Sequence, residues 1–260
     1  MPFHEKNGVL YYQFENLSRS GVVHAIFTRH GGVSPKPWKS LNVGGLVGDD
    51  PINVARNKEI ALSTFGCAPK SVYEVWQVHS KKIVTSDVPK DISIPYQKAD
   101  GILTGTTGVT LFMRFADCVP ILFYDPCNRV VGLVHAGWQG TVKMISACAV
   151  KNMEEQFGSN PKDLIVGIGP SIGPGKYEIG LDVEQQVVSA FKNNTKKFIR
   201  SHNGSLWFDL WGANVHILES QGVSNIEVAG ICTASNIDDW YSYREENGLT
   251  GRFGALIKLE

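Results

Sequence analysis

RFADCVPILFYDPCNRVVGLVHAGWQGTV, residues 114–142, decides how the rest of the chain is read. Two short runs rich in branched and aromatic residues, VPILFY (119–124) and VVGLVH (130–135), flank Asp125-Pro126-Cys127-Asn128. Asp followed by Pro suits the start of a type I turn, so the stretch predicts a β-hairpin. If Tyr124 faces Arg129 across that loop, counting back along both strands sets Cys118 directly opposite His135. Their Cβ atoms would then lie about 5 Å apart on one face, within reach of one metal ion or one proton. A loop one residue shorter or longer turns one of the two side chains to the other face. Taken alone, Cys118 reads as a small buried hydrophobe and His135 as a satisfied strand-end histidine. Their pairing is what argues for chemistry. Ala136-Gly137 leaves room for a ligand to approach the backbone, and Gly140-Thr141 opens the next helix.

Upstream, VLYYQF (9–14) and VVHAIFT (22–28) read as strands separated by a polar turn. Residues 29–50, RHGGVSPKPWKSLNVGGLVGDD, form a long aperiodic loop of the kind usually kept for function. Asp50-Pro51 then places an N-cap and an N1 proline ahead of a helix running to about Phe65. SVYEVWQVHS (71–80) alternates as a strand closed by His79. KKIVTSD reads as a neighbouring strand and DISIPYQ as a surface connection, and strands at 99–104 and 109–115 lead into the hairpin. Downstream, Val142, Ile145, Ala149, Met153 and Phe157 recur at helical spacing and predict one helix over 141–157. Helices at 181–191 and 208–222 and strands at 163–169, 224–232 and 253–259 complete the chain. Strands cluster early and late with helices between them, which favours a single α+β domain over 1–260 with a mixed sheet, rather than a doubly wound fold.

A chain of 260 residues buries a substantial core, and its 43% hydrophobic and 19% charged content is that of an ordinary globular protein. Lys+Arg and Asp+Glu balance at 25 each, which leaves no electrostatic footprint for nucleic acid or an anionic membrane. No apolar stretch approaches the roughly 20 residues of a membrane helix, and the N-terminus lacks the pattern of a signal peptide. Five scattered cysteines without a CxxC suit a reducing cytoplasm rather than a disulfide framework.

His79, Cys118 and His135 make the candidate metal set: two histidines and one cysteine suit a three-ligand zinc site with one open coordination position. The same residues permit a metal-free reading, with Cys118 as a thiolate nucleophile and His135 as its base in a hydrolase or deamidase. GIGPSIGPG (167–175) matches neither phosphate-loop template: there is no GK[ST], and the third glycine falls one place late for GxGxxG. Arg29 and Arg56, near the long loop, are candidates to hold an anionic group.

Several phrases together carry a resemblance. They are TRHGGVS (28–34), SLNVGG with VGDDP (40–51), QVHS (77–80), ADG-x-LTG (99–105), ADCVPILFYD (116–125), VGLVHAGWQGTV (131–142), GIGPSIGPGKYEIG, ICT (231–233) and SYR with TGR (242–252). From about residue 22 to the C-terminus the chain resembles the laccase-domain family, formerly named multicopper polyphenol oxidoreductases, whose bacterial members are also called purine nucleoside phosphorylases. The resemblance implies an α-β-β-α arrangement of two related halves. It also implies a zinc-dependent enzyme that phosphorolyses adenosine, inosine and 5′-methylthioadenosine, with some adenosine deaminase activity. Its partners would be purine nucleosides and phosphate, with the oligomeric state left open. The family's metal ligands fall on His79, Cys118 and His135, and its loop near the nucleoside falls on Arg29 and Asn42. The older name raises copper-dependent polyphenol oxidation. Seven histidines without an HxH pair do not assemble a four-copper cluster, although Cu2+ suits a two-histidine, one-cysteine site. Two positions depart from the family pattern: Gln139 stands where HAGW is usually followed by arginine, and Glu245 replaces the second arginine of SYRR. If either arginine handles phosphate in relatives, phosphorolysis is weakened here and deamination is left intact.

Overall fold

Two apolar sheets stacked face to face hold the centre of the protein. The computed structural model describes residues 2–91 and 93–260; Met1, and Ile92 in the DISIPYQ connection, lie outside the described residues. The first sheet runs Phe3–Lys6, Val9–Tyr12, Val23–Phe27, Phe253–Lys258, Thr110–Phe115, Val72–Tyr73. The second runs Asn225–Val228, Ile165–Ile168, Val119–Asp125, Val130–Ala136, Gly101–Thr104, Ile83–Thr85. Each mixes parallel and antiparallel pairs. Because alternate residues of a strand point to opposite faces, each sheet has two faces to cover. Met113, Phe115 and Ile257 of the first sheet meet Ile102, Leu122 and Leu133 of the second in one buried cluster. The far face of the second sheet, with Ile121, Phe123 and Val134, packs against helices Ile145–Phe157, Leu181–Phe191 and Leu210–Ser220. The far face of the first, with Ala25, Phe112 and Leu256, is covered by helix Pro51–Thr64. The layers are therefore α-β-β-α in a single mixed-sheet domain, as expected. Among the described residues no helix is long and apolar enough to cross a membrane.

The hairpin forms, in a register two residues from the expected one. Asp125 takes the cap of the turn: its Oδ1 accepts the Cys127 and Asn128 amides at 2.8 and 3.1 Å. The loop is thus Pro126–Arg129, with Arg129 left-handed at φ 54°, and Asp125 is the last paired residue, opposite Val130. His135 faces Pro120, not Cys118. A slip of two preserves the face, whereas a slip of one would have reversed it. Cys118 and His135 therefore remain on one side, as diagonal neighbours.

Three further expectations are corrected. The 71–80 strand is only Val72–Tyr73; beyond it the backbone leaves the sheet, and His79 sits in a left-handed turn at φ 56°. The 141–157 helix is two helices, Trp138–Val142 and Ile145–Phe157, broken at left-handed Met144 (φ 63°). The break lets Trp138 reach a cleft while Ile145, Ala149 and Met153 stay on the sheet. The polar turn after Tyr12 contains a short helix, Glu15–Arg19, and Phe3–Lys6 adds an edge strand. A separate three-stranded sheet, Glu178–Ile179, Ser205–Phe208 and Ile199–His202, was not foreseen.

The long loop at 29–50 is pinned from within. Asn57, fully buried on the helix that Asp50 caps, donates to Ser34 Oγ at 2.7 Å and to the Asn42 carbonyl at 2.8 Å, and accepts the Val33 amide at 2.8 Å. Ser34 and Asn42 both donate to Asp49. Asn57→Ala is expected to lower unfolding stability by about 2–4 kcal/mol in urea denaturation, because it orphans several buried partners; a loss below about 0.5 kcal/mol would show that the network does not hold the loop.

Candidate metal centre

Two arms of one hairpin and a separate turn each deliver one donor. Cys118 enters the second sheet from Asp117, which is held left-handed at φ 77°. That carboxylate is tied off, accepting the Thr233 hydroxyl and the Arg244 amide, both at 2.7 Å. His135 lies in the strand Val130–Ala136 and is buried. His79 comes from the turn after Val78. A non-glycine residue at positive φ costs about 1–3 kcal/mol and persists only where surrounding contacts impose it.

Those contacts converge on Asp100, which is fully buried. Its Oδ1 accepts the Val78 amide at 3.1 Å, the His79 amide at 2.9 Å and His135 Nδ1 at 3.0 Å. Its Oδ2 accepts the Ser80 amide and hydroxyl at 2.6 and 2.7 Å. Its backbone carbonyl also takes the His135 amide at 2.8 Å. One carboxylate thus folds the 78–80 turn and fixes the His135 ring, leaving Nε2 as the ring's free donor. Burial alone would raise the Asp100 pKa, but the hydrogen bonds from His135 and Ser80 outweigh it and hold it near 2.

The donor atoms of His79, Cys118 and His135 lie within 4.8 Å of one another, and no other such group of three occurs among the described residues. Cys118 Sγ is 3.8 Å from His79 Nε2, and the two imidazole centroids are 5.0 Å apart. These separations are slightly wider than a tetrahedral ion with bonds of about 2.0 Å to nitrogen and 2.3 Å to sulfur would span, so small side-chain rotations complete the fit. Gly137 has the opposite role from the one its size suggested. Its missing side chain makes room for the cysteine rather than for a ligand, since a Cβ there would stand 2.8 Å from Cys118 Sγ and 3.1 Å from the His79 ring.

The charges suit a cation. Burial would push the Cys118 thiol up, but the neighbouring His135 charge and hydrogen bonds from both histidines bring it down to about 6. Burial would lower His135, but the Cys118 thiolate and the Asp100 carboxylate raise it instead. Both shifts favour a thiolate beside an imidazolium, and a divalent cation bound there would take the place of the ring proton.

The triad opens into a cleft of about 780 Å³ lined also by Trp76, Trp138, Tyr177, Tyr243 and three arginines, Arg114, Arg244 and Arg252. The Arg244 guanidinium donates to the Glu178 carbonyl at 2.8 Å and lies over the Tyr177 ring. That of Arg252 donates to the Thr250 and Gly251 carbonyls and lies over Tyr243. Among the described residues neither pairs with a carboxylate.

None of the other candidates from the sequence lines this cleft. Arg29 is clamped in a second cleft of about 430 Å³, where it pairs with Glu246 at 3.2 Å and donates to the Lys39 and Ile237 carbonyls. It ties the long loop to the segment that carries Tyr243 and Arg244. Asn42 is fully buried behind the site, its Oδ1 accepting the Gly44 and Arg252 amides at 2.9 and 2.8 Å. Arg56 faces outward on its helix, paired with Glu59 at 3.2 Å, because its position points away from the sheet. Gln139 and Glu245 also stand outside the cleft lining, beside Lys143 and Lys176 at 3.4 and 3.2 Å. Sequence reasoning missed Asp100 and the three cleft arginines. ADG and SYR were legible as phrases, but nothing in them showed that the aspartate folds another segment's turn.

Residues 23–260 match the family described as multi-copper polyphenol oxidoreductase laccase. The chain is 37% identical to a purine nucleoside phosphorylase of Deinococcus radiodurans over 238 residues, covering 92% of this chain and 89% of that protein. It is 35% identical to the purine nucleoside phosphorylase YlmD of Bacillus subtilis over 253 residues, covering 94% and 91%. Among solved structures, the YfiH hypothetical protein of Bacillus licheniformis superposes with a TM-score of 0.91 at 29% identity, covering 100% of this chain and 99% of that one. YlmD of Geobacillus stearothermophilus gives 0.90 at 31% identity, covering 99% and 98%.

A lowered thiol pKa means that the thiolate persists to lower pH. In metal-stripped protein, iodoacetamide labelling of Cys118, mapped by mass spectrometry, is expected to rise with pH through a midpoint near 6 and to level off above it. A midpoint at the ordinary thiol value of about 8.5 would show that the two histidines do not stabilise the thiolate.

Proposed function

The chain belongs to the multi-copper polyphenol oxidoreductase laccase family, and from that premise we propose that it is a zinc-dependent purine nucleoside phosphorylase. Its substrates would be adenosine, inosine and 5′-methylthioadenosine, with adenosine deamination as a second activity of the same cleft. The observation that carries this reading is the coincidence, in one cleft, of a three-donor metal group with arginines free of carboxylate partners. Relatives named purine nucleoside phosphorylase, matched over nine-tenths of this chain, support it.

His79, Cys118 and His135 would hold the zinc, with Asp100 keeping the His135 ring turned so that Nε2 faces the ion. Zinc bound there supplies a Lewis acid with an open coordination position. The rest falls to the chain's own groups. Arg244 and Arg252 would balance the charge of phosphate as it approaches C1′, a role first assigned to Arg29. Trp138, Tyr177 and Tyr243 offer aromatic faces for a purine. A cleft of about 780 Å³ is in the usual range for small-molecule sites and has room for nucleoside and phosphate together.

Two other chemistries use the same residues. The thiolate–imidazolium pair favours a metal-free cysteine hydrolase or deamidase, which would survive chelators. The family's older name points to copper-dependent polyphenol oxidation, but a single three-donor group does not supply the ligands of a four-copper cluster. Incubation of the purified protein with adenosine, with and without phosphate, followed by chromatography separates these readings. Adenine formed only with phosphate is expected, together with inosine from deamination. Cys118→Ala is expected to lose bound metal and both products. Full turnover by Cys118→Ala, or by the chelated protein, would end the zinc assignment.

A further inference from the structure

Glu74 is 3% exposed, and its two carboxylate oxygens are treated unequally. Oε2 is paired with the Lys58 ammonium. Oε1 accepts no hydrogen bond of ordinary length from any described residue, although the Tyr96 hydroxyl faces the carboxylate and Arg114 NH1 stands 3.9 Å away. A buried carboxylate oxygen left bare beside a donor is an anomaly that calls for a reason.

Arg114 supplies one. Its backbone is fixed by the Gln77 side chain, which accepts the Arg114 amide at 3.1 Å and donates to the Arg114 carbonyl at 2.8 Å. Its guanidinium is much looser, with one hydrogen bond, to the Val75 carbonyl at 3.3 Å. Among the described residues, Arg114 is the only one of the three cleft arginines whose guanidinium has a carboxylate oxygen within 4.0 Å. Arg114 NH1 thus stands just beyond hydrogen-bonding distance of Glu74 on one side, while the side chain lines the open cleft on the other.

We propose that Glu74 is a positioning residue for Arg114, holding its guanidinium back from the cleft until an anionic group of a bound ligand draws it forward. Lys58 makes the exchange tolerable, because it keeps the vacated carboxylate from becoming an isolated buried charge. Anion binding must compete with the Glu74 contact, so the contact weakens apparent anion affinity in proportion to the time Arg114 spends on it. The inference rests on the phosphorolysis reading, in which inorganic phosphate is the anion.

The test is a double-mutant cycle read by calorimetric titration of inorganic phosphate into the zinc-loaded protein, using wild type, Glu74→Gln, Arg114→Met and the double variant. Glu74→Gln is expected to tighten phosphate binding about 3- to 10-fold, and to change it by less than about 2-fold when Arg114 is already methionine. A merely structural glutamate would weaken binding when replaced. A through-space charge effect would tighten binding equally in both backgrounds. Either result, or no change, overturns the proposal while leaving phosphorolysis standing. A wild-type protein that binds no phosphate removes both. Should Glu74→Gln fail to fold, crystals of wild type with and without phosphate decide: the guanidinium is expected on phosphate and away from Glu74 in the complex, and a guanidinium seated on Glu74 in both overturns the idea.

Discussion

A single buried carboxylate organises the centre of this protein. Asp100 gathers three consecutive backbone amides of one segment and the imidazole of another. Without it, the three amides and the left-handed histidine of the partly exposed 78–80 turn would lose the acceptor that fixes them. A fully buried charge is tolerated only when every lone pair is occupied, and here the donors that occupy it are the ones that aim the candidate metal-binding side chains. Stability and site geometry thus rest on the same hydrogen bonds, so a change at Asp100 would act on both.

The same arrangement recurs around Cys118. Asp117 is left-handed, yet its carboxylate caps Thr233 and the Arg244 amide, which links Cys118 to the loop bearing a cleft arginine. Asn42 does likewise for Arg252. Arg29 ties the long loop to the segment ending in Glu246. The residues in the cleft are presented by buried polar side chains behind them, and those side chains lie on loops rather than on the regular strands and helices.

Much of this was legible in the chain. Alternation and turn chemistry gave the hairpin, the Asp50-Pro51 cap and the single mixed-sheet domain. The sequence placed Cys118 and His135 on one face, and they stay there despite a wrong register, because an error of two residues leaves the face unchanged. His79 joins them from a different place than the one expected, since it leaves the sheet rather than ending a strand. What periodicity cannot convey is a side chain acting on a distant backbone. Asp100 read as part of a strand start, and Arg29 as an anion ligand, because the partners that define both lie far away in sequence. Glu246 is more than 200 residues from Arg29. The break at Met144 was hidden by an apolar stripe that continues across it.

The claim that one carboxylate builds the metal centre is tested most directly by competitive zinc titration of Asp100→Asn against wild type, using a chromophoric chelator. Asparagine keeps the shape but turns an NH2 toward amides and an imidazole that need an acceptor. Zinc affinity is expected to fall about 10- to 100-fold. An Asp100→Asn protein that binds zinc as tightly as wild type would contradict the account.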